Sequence, residues 1–289
     1  PVHRVSAATS APGLGAKVRA VLDLGRGVVE ALALLRRLKP AAVVGFGGYP
    51  SVPTVQAATL LRLPLVLHEQ NAVLGRANRL FASAARRIAV SFPEIAGLMP
   101  AQRDRLVRTG NPVRPAFAEV RDQPYPALTA DGPIALVVLG GSQGARIFSD
   151  VVPQALARLP ESWRPRLRLS QQCRPEDLER TWAIYGSLGL GHAELSSFFR
   201  DVPERLASAH LVLARAGAST ITELTVVGRP SLLVPYPFAM DDHQSVNAAA
   251  LSAAGAAWTL PQDAFTPERL AAELLRQQEL RAHAVHGAD

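Results

Sequence analysis

Three short stretches of this sequence place glycine and small polar residues where an apolar run gives way to helical periodicity: residues 45–51, 140–145 and 216–220. Glycine at such a junction lets main-chain N–H groups close on a ligand, and a helix N-terminus adds about half a positive charge. Together they describe an anion site at the carboxyl ends of parallel strands. They do not spell the dinucleotide fingerprint, because after Gly45 and Gly47 the place of the last glycine is taken by Pro50. Thr220 and Glu223 have the spacing of a capping box, so Glu223 either closes its own helix turn or offers a carboxylate to ribose hydroxyls. His68-Glu69-Gln70-Asn71 crowds four polar side chains at the end of an apolar run, where His68 or Glu69 is a candidate base and Asn71 a candidate ligand. Arg114 follows Asn111-Pro112 and is either a cation for a diphosphate or a solvated linker arginine.

Other chemistries are weaker or missing. Gly140-Gly141-Ser142-Gln143-Gly144 also fits the G-x-S-x-G nucleophile elbow, with Asp242 and His243 downstream, which makes a serine hydrolase acting through Ser142 an alternative. Against it, an acid and a base adjacent in sequence near a helix start can hardly both line up behind one serine. There is no D-x-D, no zinc spacing among the seven histidines and Cys173, and no G-x-x-x-x-G-K-[ST], so no metal, no cofactor and no P-loop chemistry is expected.

The elements that must position these residues follow from periodicity. Short apolar runs at residues 41–46, 65–68, 87–91, 134–139, 167–170, 211–214 and 231–234 alternate with helical patterns at 13–39, 76–85, 145–159, 175–185, 219–227 and 242–253. Pro153 should kink the helix over 145–159 or split it in two. Strand–helix alternation with unbroken apolar strands means parallel sheets covered on both faces, an α/β fold. The Pro-rich stretch at 110–115 divides two such arrays. The expected organisation is two Rossmann-like domains, residues 1–114 and 115–289, facing each other across a cleft.

Charge divides at the same place. Residues 1–114 hold sixteen basic and five acidic residues, whereas 115–289 hold fifteen and nineteen. The basic half should meet something anionic: nucleic acid, a phospholipid surface or a phosphorylated substrate. One cysteine excludes an internal disulfide and fits a reducing cytoplasm. No run approaches the roughly 20 apolar residues of a membrane span. The chain opens Pro1-Val2-His3-Arg4, without an initiator Met, as a sequence begun inside a longer one would.

Five motifs, in order and spacing, resemble the MurG family of bacterial UDP-N-acetylglucosamine transferases. They are Gly47-Gly48-Tyr49, His68-Glu69-Gln70-Asn71, Gly110-Asn111-Pro112-Val113-Arg114, Gly140-Gly141-Ser142-Gln143-Gly144-Ala145-Arg146 and Asp242-His243-Gln244-x-x-Asn247-Ala248. The resemblance implies the GT-B architecture and an inverting transfer of GlcNAc from UDP-GlcNAc to lipid I, giving lipid II for the peptidoglycan wall. It places Ser142 on the diphosphate, the main chain of Phe199 on uracil, and Ala218, Ser219, Thr220, Ile221, Thr222 and Glu223 around the donor, with Glu223 on the ribose. Gln244 would bind the GlcNAc hydroxyls, and Asn71 and Arg114 would complete the pocket. It also implies a peripheral enzyme on the cytoplasmic face of the membrane, touching anionic lipid and cell-wall synthesis proteins and no nucleic acid. The family opens with a strand and a glycine-rich loop bearing a histidine, a candidate base, and this sequence lacks both. Of a different class is a non-catalytic nucleotide-sugar or lipid-phosphate binding module, which shares every feature except a complete acceptor site.

Overall fold

The computed structural model describes residues 2–7, 13–129, 131–141 and 144–286, with backbone alone at residues 14, 17 and 278–286. The chain forms two compact units, Pro1–Pro112 and Val113–Asp289. The first contains α1 (Leu14–Leu38), β1 (Val43–Gly45), α2 (Val52–Leu60), β2 (Leu65–Glu69), α3 (Arg76–Phe81), β3 (Arg87–Val90) and β4 (Leu106–Arg108). Its four strands are parallel and lie in chain order, β1-β2-β3-β4. Leu65, Leu67, Ile88 and Val90 are buried, as continuous apolar strands covered on both faces must be.

Helix α1 buries a different stripe from the one its large apolar residues suggest. Val18, Val21, Leu22 and Val29 are exposed, while Gly27, Ala31 and Leu35 face inward. The spacing of four keeps this inward line on one face. Its small residues admit close approach: a Cβ on Gly27 would stand 3.1 Å from Pro53 of α2.

The second unit contains α4 (Pro115–Val120), β5 (Ile134–Leu139), α5 (Arg146–Ala157), β6 (Leu167–Gln172), α6 (Leu178–Ser187), β7 (Glu194–Ser196) and α7 (Val202–Ser208). It continues with β8 (Leu211–Ala214), α8 (Ala218–Val227), β9 (Ser231–Leu233), α9 (His243–Ala253), β10 (Ala257–Thr259) and α10 (Pro267–His286). Its parallel sheet runs β10-β9-β8-β5-β6-β7. Counted from β5 this is the doubly wound order 3-2-1-4-5-6, and its switch point lies between β5 and β8. Phe148, Val152, Ala155 and Leu156 of α5 fill the core above Leu136, Val138, Leu167 and Leu169.

Pro153 neither breaks nor divides α5, which is one helix from Arg146 to Ala157. The bond lost at Pro153 is outweighed by the apolar face that the unbroken helix buries. The expected helix over 175–185 begins instead as a 3-10 turn, Pro175–Asp177, before α6. The edge strands β4, β7 and β10 were not foreseen; three residues each, with partly exposed side chains, they carry no legible apolar run.

Phe148 is wholly buried, its ring centroid 5.6 Å from that of Phe265 in an edge-to-face pair. Phe148→Ala is expected to cost about 3–5 kcal/mol. Denaturant unfolding checks this, and a loss under about 1 kcal/mol would show that the core collapses around the gap.

Candidate functional site

At the switch point of the second unit the glycine loops after β5 and β8 stand side by side. A Cβ on Gly140 would fall 2.4 Å from the Ala145 nitrogen, so only glycine lets the chain double back into α5. Ser142 and Gln143, within that loop, lie outside the described residues. Helix α8 starts at Ala218, with Gly217 as its N-cap and no side-chain cap. The capping box expected from Thr220 and Glu223 is therefore absent: Thr220 is already inside the helix. The first main-chain bond of α8 is Ile221 N–H to Gly217 C=O at 2.9 Å, which leaves the N–H groups of Ala218, Ser219 and Thr220 outside the helical ladder.

Ile221 is buried in the core, and Thr222 spends its hydroxyl on Ala218 C=O at 2.8 Å. The structure thus removes the Ile221 side chain from the ligand-facing set and leaves Ala218, Ser219 and Thr220 in it. Glu223 is half-buried and, among the described residues, meets only the Arg114 guanidinium, at 3.4 Å. Burial pushes its carboxyl above the ordinary carboxylate range, opposed by the charge of Arg114. A carboxylate desolvated this far and held by one long bond is poised to accept stronger donors.

Gln244, in the first turn of α9, accepts from Ala216 N–H at 3.2 Å and Tyr236 N–H at 3.0 Å, so its amide NH2 is turned away from both loops. Asn247, fully buried one turn on, donates to Ala216 C=O at 3.1 Å. Beneath them Arg215 donates to Val234 and Pro235 C=O and to Gln262 Oε1, at 3.0, 3.1 and 2.6 Å. Arg215, Asn247 and Tyr236 were not singled out individually as site residues from sequence; an arginine directly after the apolar run of β8 was the available signal. The Phe199 ring is buried, with the Arg205 guanidinium 4.2 Å above it, so only its main chain can serve a ligand.

Asp242 and His243 do not form the acid–base half of a triad. His243 Nδ1 is bonded to Met240 C=O at 2.8 Å, and Asp242 accepts from the Ser245 hydroxyl at 2.6 Å. The hydrolase alternative loses its base and its orienting acid.

In the first unit the strand end at 68–71 is knitted rather than open. His68 Nε2 is bonded to Gly110 C=O at 3.0 Å and its Nδ1 to Gln70 Nε2 at 3.0 Å, which fixes the orientation of the ring. Glu69 is 2% exposed and accepts from Asn71 N–H, Asn71 Nδ2, Gly75 N–H and Asn78 Nδ2, at 3.1, 3.3, 2.8 and 2.9 Å. Neither side chain is presented as a free base; both hold the loop that carries Asn71. Asn78, not foreseen, also donates to His68 C=O at 3.1 Å and lies under Gly47, whose φ of 77° is strained for any residue with a side chain. Among the described residues no group of three His, Cys, Asp or Glu side chains is placed to hold a metal ion.

A doubly wound parallel sheet with glycine loops at its switch point is the architecture in which open α/β units hold nucleotides. Sequence comparison gives the family. Residues 3–90 match the N-terminal domain of glycosyltransferase family 28 and residues 135–284 its C-terminal domain, and the chain belongs to that family. A UDP-N-acetylglucosamine–N-acetylmuramyl-(pentapeptide) pyrophosphoryl-undecaprenol N-acetylglucosamine transferase of Rhodospirillum centenum is 57% identical over 274 residues, 95% of this chain and 72% of that protein. The transferase of the same name from Paramagnetospirillum magneticum is 59% identical over 257 residues, 89% of this chain and 69% of the relative. Among solved structures, Acinetobacter baumannii MurG superposes with a TM-score of 0.74 at 30% identity, covering 99% of this chain and 79% of that one. The fold is accordingly α/β of GT-B type.

Two substitutions test these assignments. Glu223→Gln should weaken UDP binding by about 1.5–3 kcal/mol, the worth of a charge-assisted bond. Because the folded carboxyl titrates above its unfolded value, Glu223 favours folding in acid and that benefit is lost as pH rises through its folded pKa. Glu223→Gln should then melt no earlier than the parent at neutral pH; an earlier melt with unchanged UDP affinity would mean that Glu223 is structural. Asn78→Ala leaves buried acceptors on His68 and Glu69 short of a donor, and should cost about 1–3 kcal/mol in a denaturant titration.

Proposed function

We propose that this chain is an inverting glycosyltransferase that moves GlcNAc from UDP-GlcNAc to undecaprenyl-diphospho-N-acetylmuramoyl-pentapeptide (lipid I), yielding lipid II for peptidoglycan synthesis. The observation that carries the reading is the 57% identity across 95% of the chain to a transferase of that name. The switch-point crevice is where such a donor belongs. In this reading the unpaired N–H groups of α8 and the start of α5 receive the diphosphate, with Arg114 as counter-charge and Ser142 beside it. Glu223 accepts from the ribose, the Phe199 main chain meets uracil, and the Gln244 amide donates to the sugar hydroxyls. Asn71 is the substrate-facing residue of the first unit.

The acceptor's sugar hydroxyl attacks C1 of the α-linked donor from the face opposite the diphosphate. A β-glycosidic C–O bond forms as the C1–O bond to phosphate breaks, and that bond's electron pair leaves with UDP. The hydroxyl proton passes to a base, a role for which the fully engaged His68 and Glu69 are poorly placed; they position Asn71. Helix N-termini and Arg114 stabilise the charge that develops on the departing diphosphate.

Labelled GlcNAc passing from UDP-GlcNAc to a lipid I analogue tests the function. UDP binding without any transfer would favour the binding-module reading.

The acceptor's polyprenyl tail requires a membrane-bound partner surface, and among the described residues no helix is long and apolar enough to cross a membrane. We place the docking surface on α3 and its flanks, facing the anionic cytoplasmic leaflet. Leu74 and Phe81 are buried; α3 turns Ala77, Asn78 and Phe81 inward, and Arg76, Arg79 and Leu80 outward. Leu80 is 71% exposed, and Arg76, Arg79, Arg86 and Arg87 are exposed as well. Each such cation near an anionic surface is worth about 1 kcal/mol. The protein should sediment with anionic vesicles at low salt, and Arg76→Glu with Leu80→Asp should release it. Equal sedimentation with neutral lipid removes this patch from the reading.

A further inference from the structure

Strand order places the end of β6 between two parts of the donor site, since β6 lies between β5 and β7. The loop after β5 is the diphosphate loop of the proposed function, and the segment after β7 carries Phe199. Main-chain and side-chain bonds tie the β6 end to that segment: Cys173 N–H to Ser196 C=O at 2.9 Å and Gln172 Nε2 to Ser197 C=O at 3.2 Å. The next residue is Arg174.

Arg174 is built into this position. Its stem lies against Gly144, where an added Cβ would come within 2.9 Å of Arg174 Cγ, and Gly144 has a φ of 67°. Glycine at 144 thus serves two ends, the turn into α5 and the seat of an arginine stem. Arg174 Nε is buried, and among the described residues it has no hydrogen-bond partner. Its nearest carboxylate, Glu176, is 3.9 Å from the guanidinium, too far for a hydrogen bond, and is itself largely exposed. A pair of that kind contributes little, so it does not account for an arginine whose stem displaces every side chain but hydrogen at 144.

A second arginine, Arg215, sits behind the same loops with carbonyls and an amide as partners and no carboxylate. Its guanidinium is pushed down to about 10, chiefly by burial, with the nearby charge of Arg174 acting in the same direction. Two cations converging with only the distant, exposed Glu176 as a carboxylate partner are relieved when a dianion enters.

Resting on the donor site proposed above, we propose that Arg174 is a diphosphate-binding residue, a second cation on the donor beside Arg114. Arg's planar fork suits two phosphate oxygens at once, which a lysine's point charge does not.

Calorimetry on the whole chain with UDP, UMP and uridine tests it. Arg174→Ala is expected to raise the Kd for UDP by about tenfold or more, the loss of one charge-assisted contact, while leaving uridine binding unchanged. Arg174→Lys should recover part of the UDP affinity. UDP bound as tightly by Arg174→Ala as by the parent overturns the proposal, and so does an equal loss for uridine and UDP, which would place Arg174 on the base or in the fold. A parent that fails to bind UDP at all would instead refute the donor site on which the inference rests.

Discussion

A helix that begins at the end of a parallel strand leaves its first N–H groups without partners, and the second unit is arranged so that two such helices begin side by side. The chain leaves β5 toward one edge of the sheet and β8 toward the other, so the crossovers diverge and a crevice opens between them. Among the described residues, no side chain caps α5 or α8. Neighbouring residues fix the loops that lead into these helices. Gln244 and Asn247 fix the turn at Ala216 from one side, through its N–H and its C=O. Arg215 fastens the floor to the loops that follow β9 and β10. A buried cation satisfied by neutral oxygens alone keeps its positive potential, which is what an anion crevice needs.

The first unit solves a different problem with a buried anion. Its four strands lie in sequence order, with no reversal among them to open a crevice. Shape at its carboxyl end comes from the Glu69 carboxylate, which gathers four neutral donors and so bends residues 70–75 around itself. Asn78 couples that loop to the glycine turn after β1. An uncompensated buried carboxylate is stable only when such donors surround it, so loop and carboxylate require one another. The same short helix that supplies Asn78 inward turns two arginines and a leucine outward.

The motifs at the loops were readable because glycine, asparagine and histidine in tight clusters have few structural uses. The α/β alternation was readable because β5 and β8 are continuous apolar runs long enough to stand out. The three-residue edge strands were not, since half-exposed residues at a sheet margin look like any loop. Asn78 was missed for a related reason: a single polar residue in an apolar helix acquires meaning only when Glu69, nine residues earlier, turns out to be buried beside it.

By itself the sequence determined what kinds of atoms are available and where along the chain strand passes into helix, because periodicity and glycine placement are local properties. It determined the family as well, through ordered motifs. What only the tertiary structure decided is which of those groups are already spent. Glu223 is free of the cap its spacing implied because α8 starts at Ala218, and Glu69 is consumed by donors that sequence distance does not reveal. Leu74 and Phe81 are core while Leu80 is surface because α3 has one inward face. Arg174 gains its place from the neighbours of β6 in the sheet. A hydrogen bond is a relation between two positions in space, and a one-dimensional pattern supplies at most one of its ends.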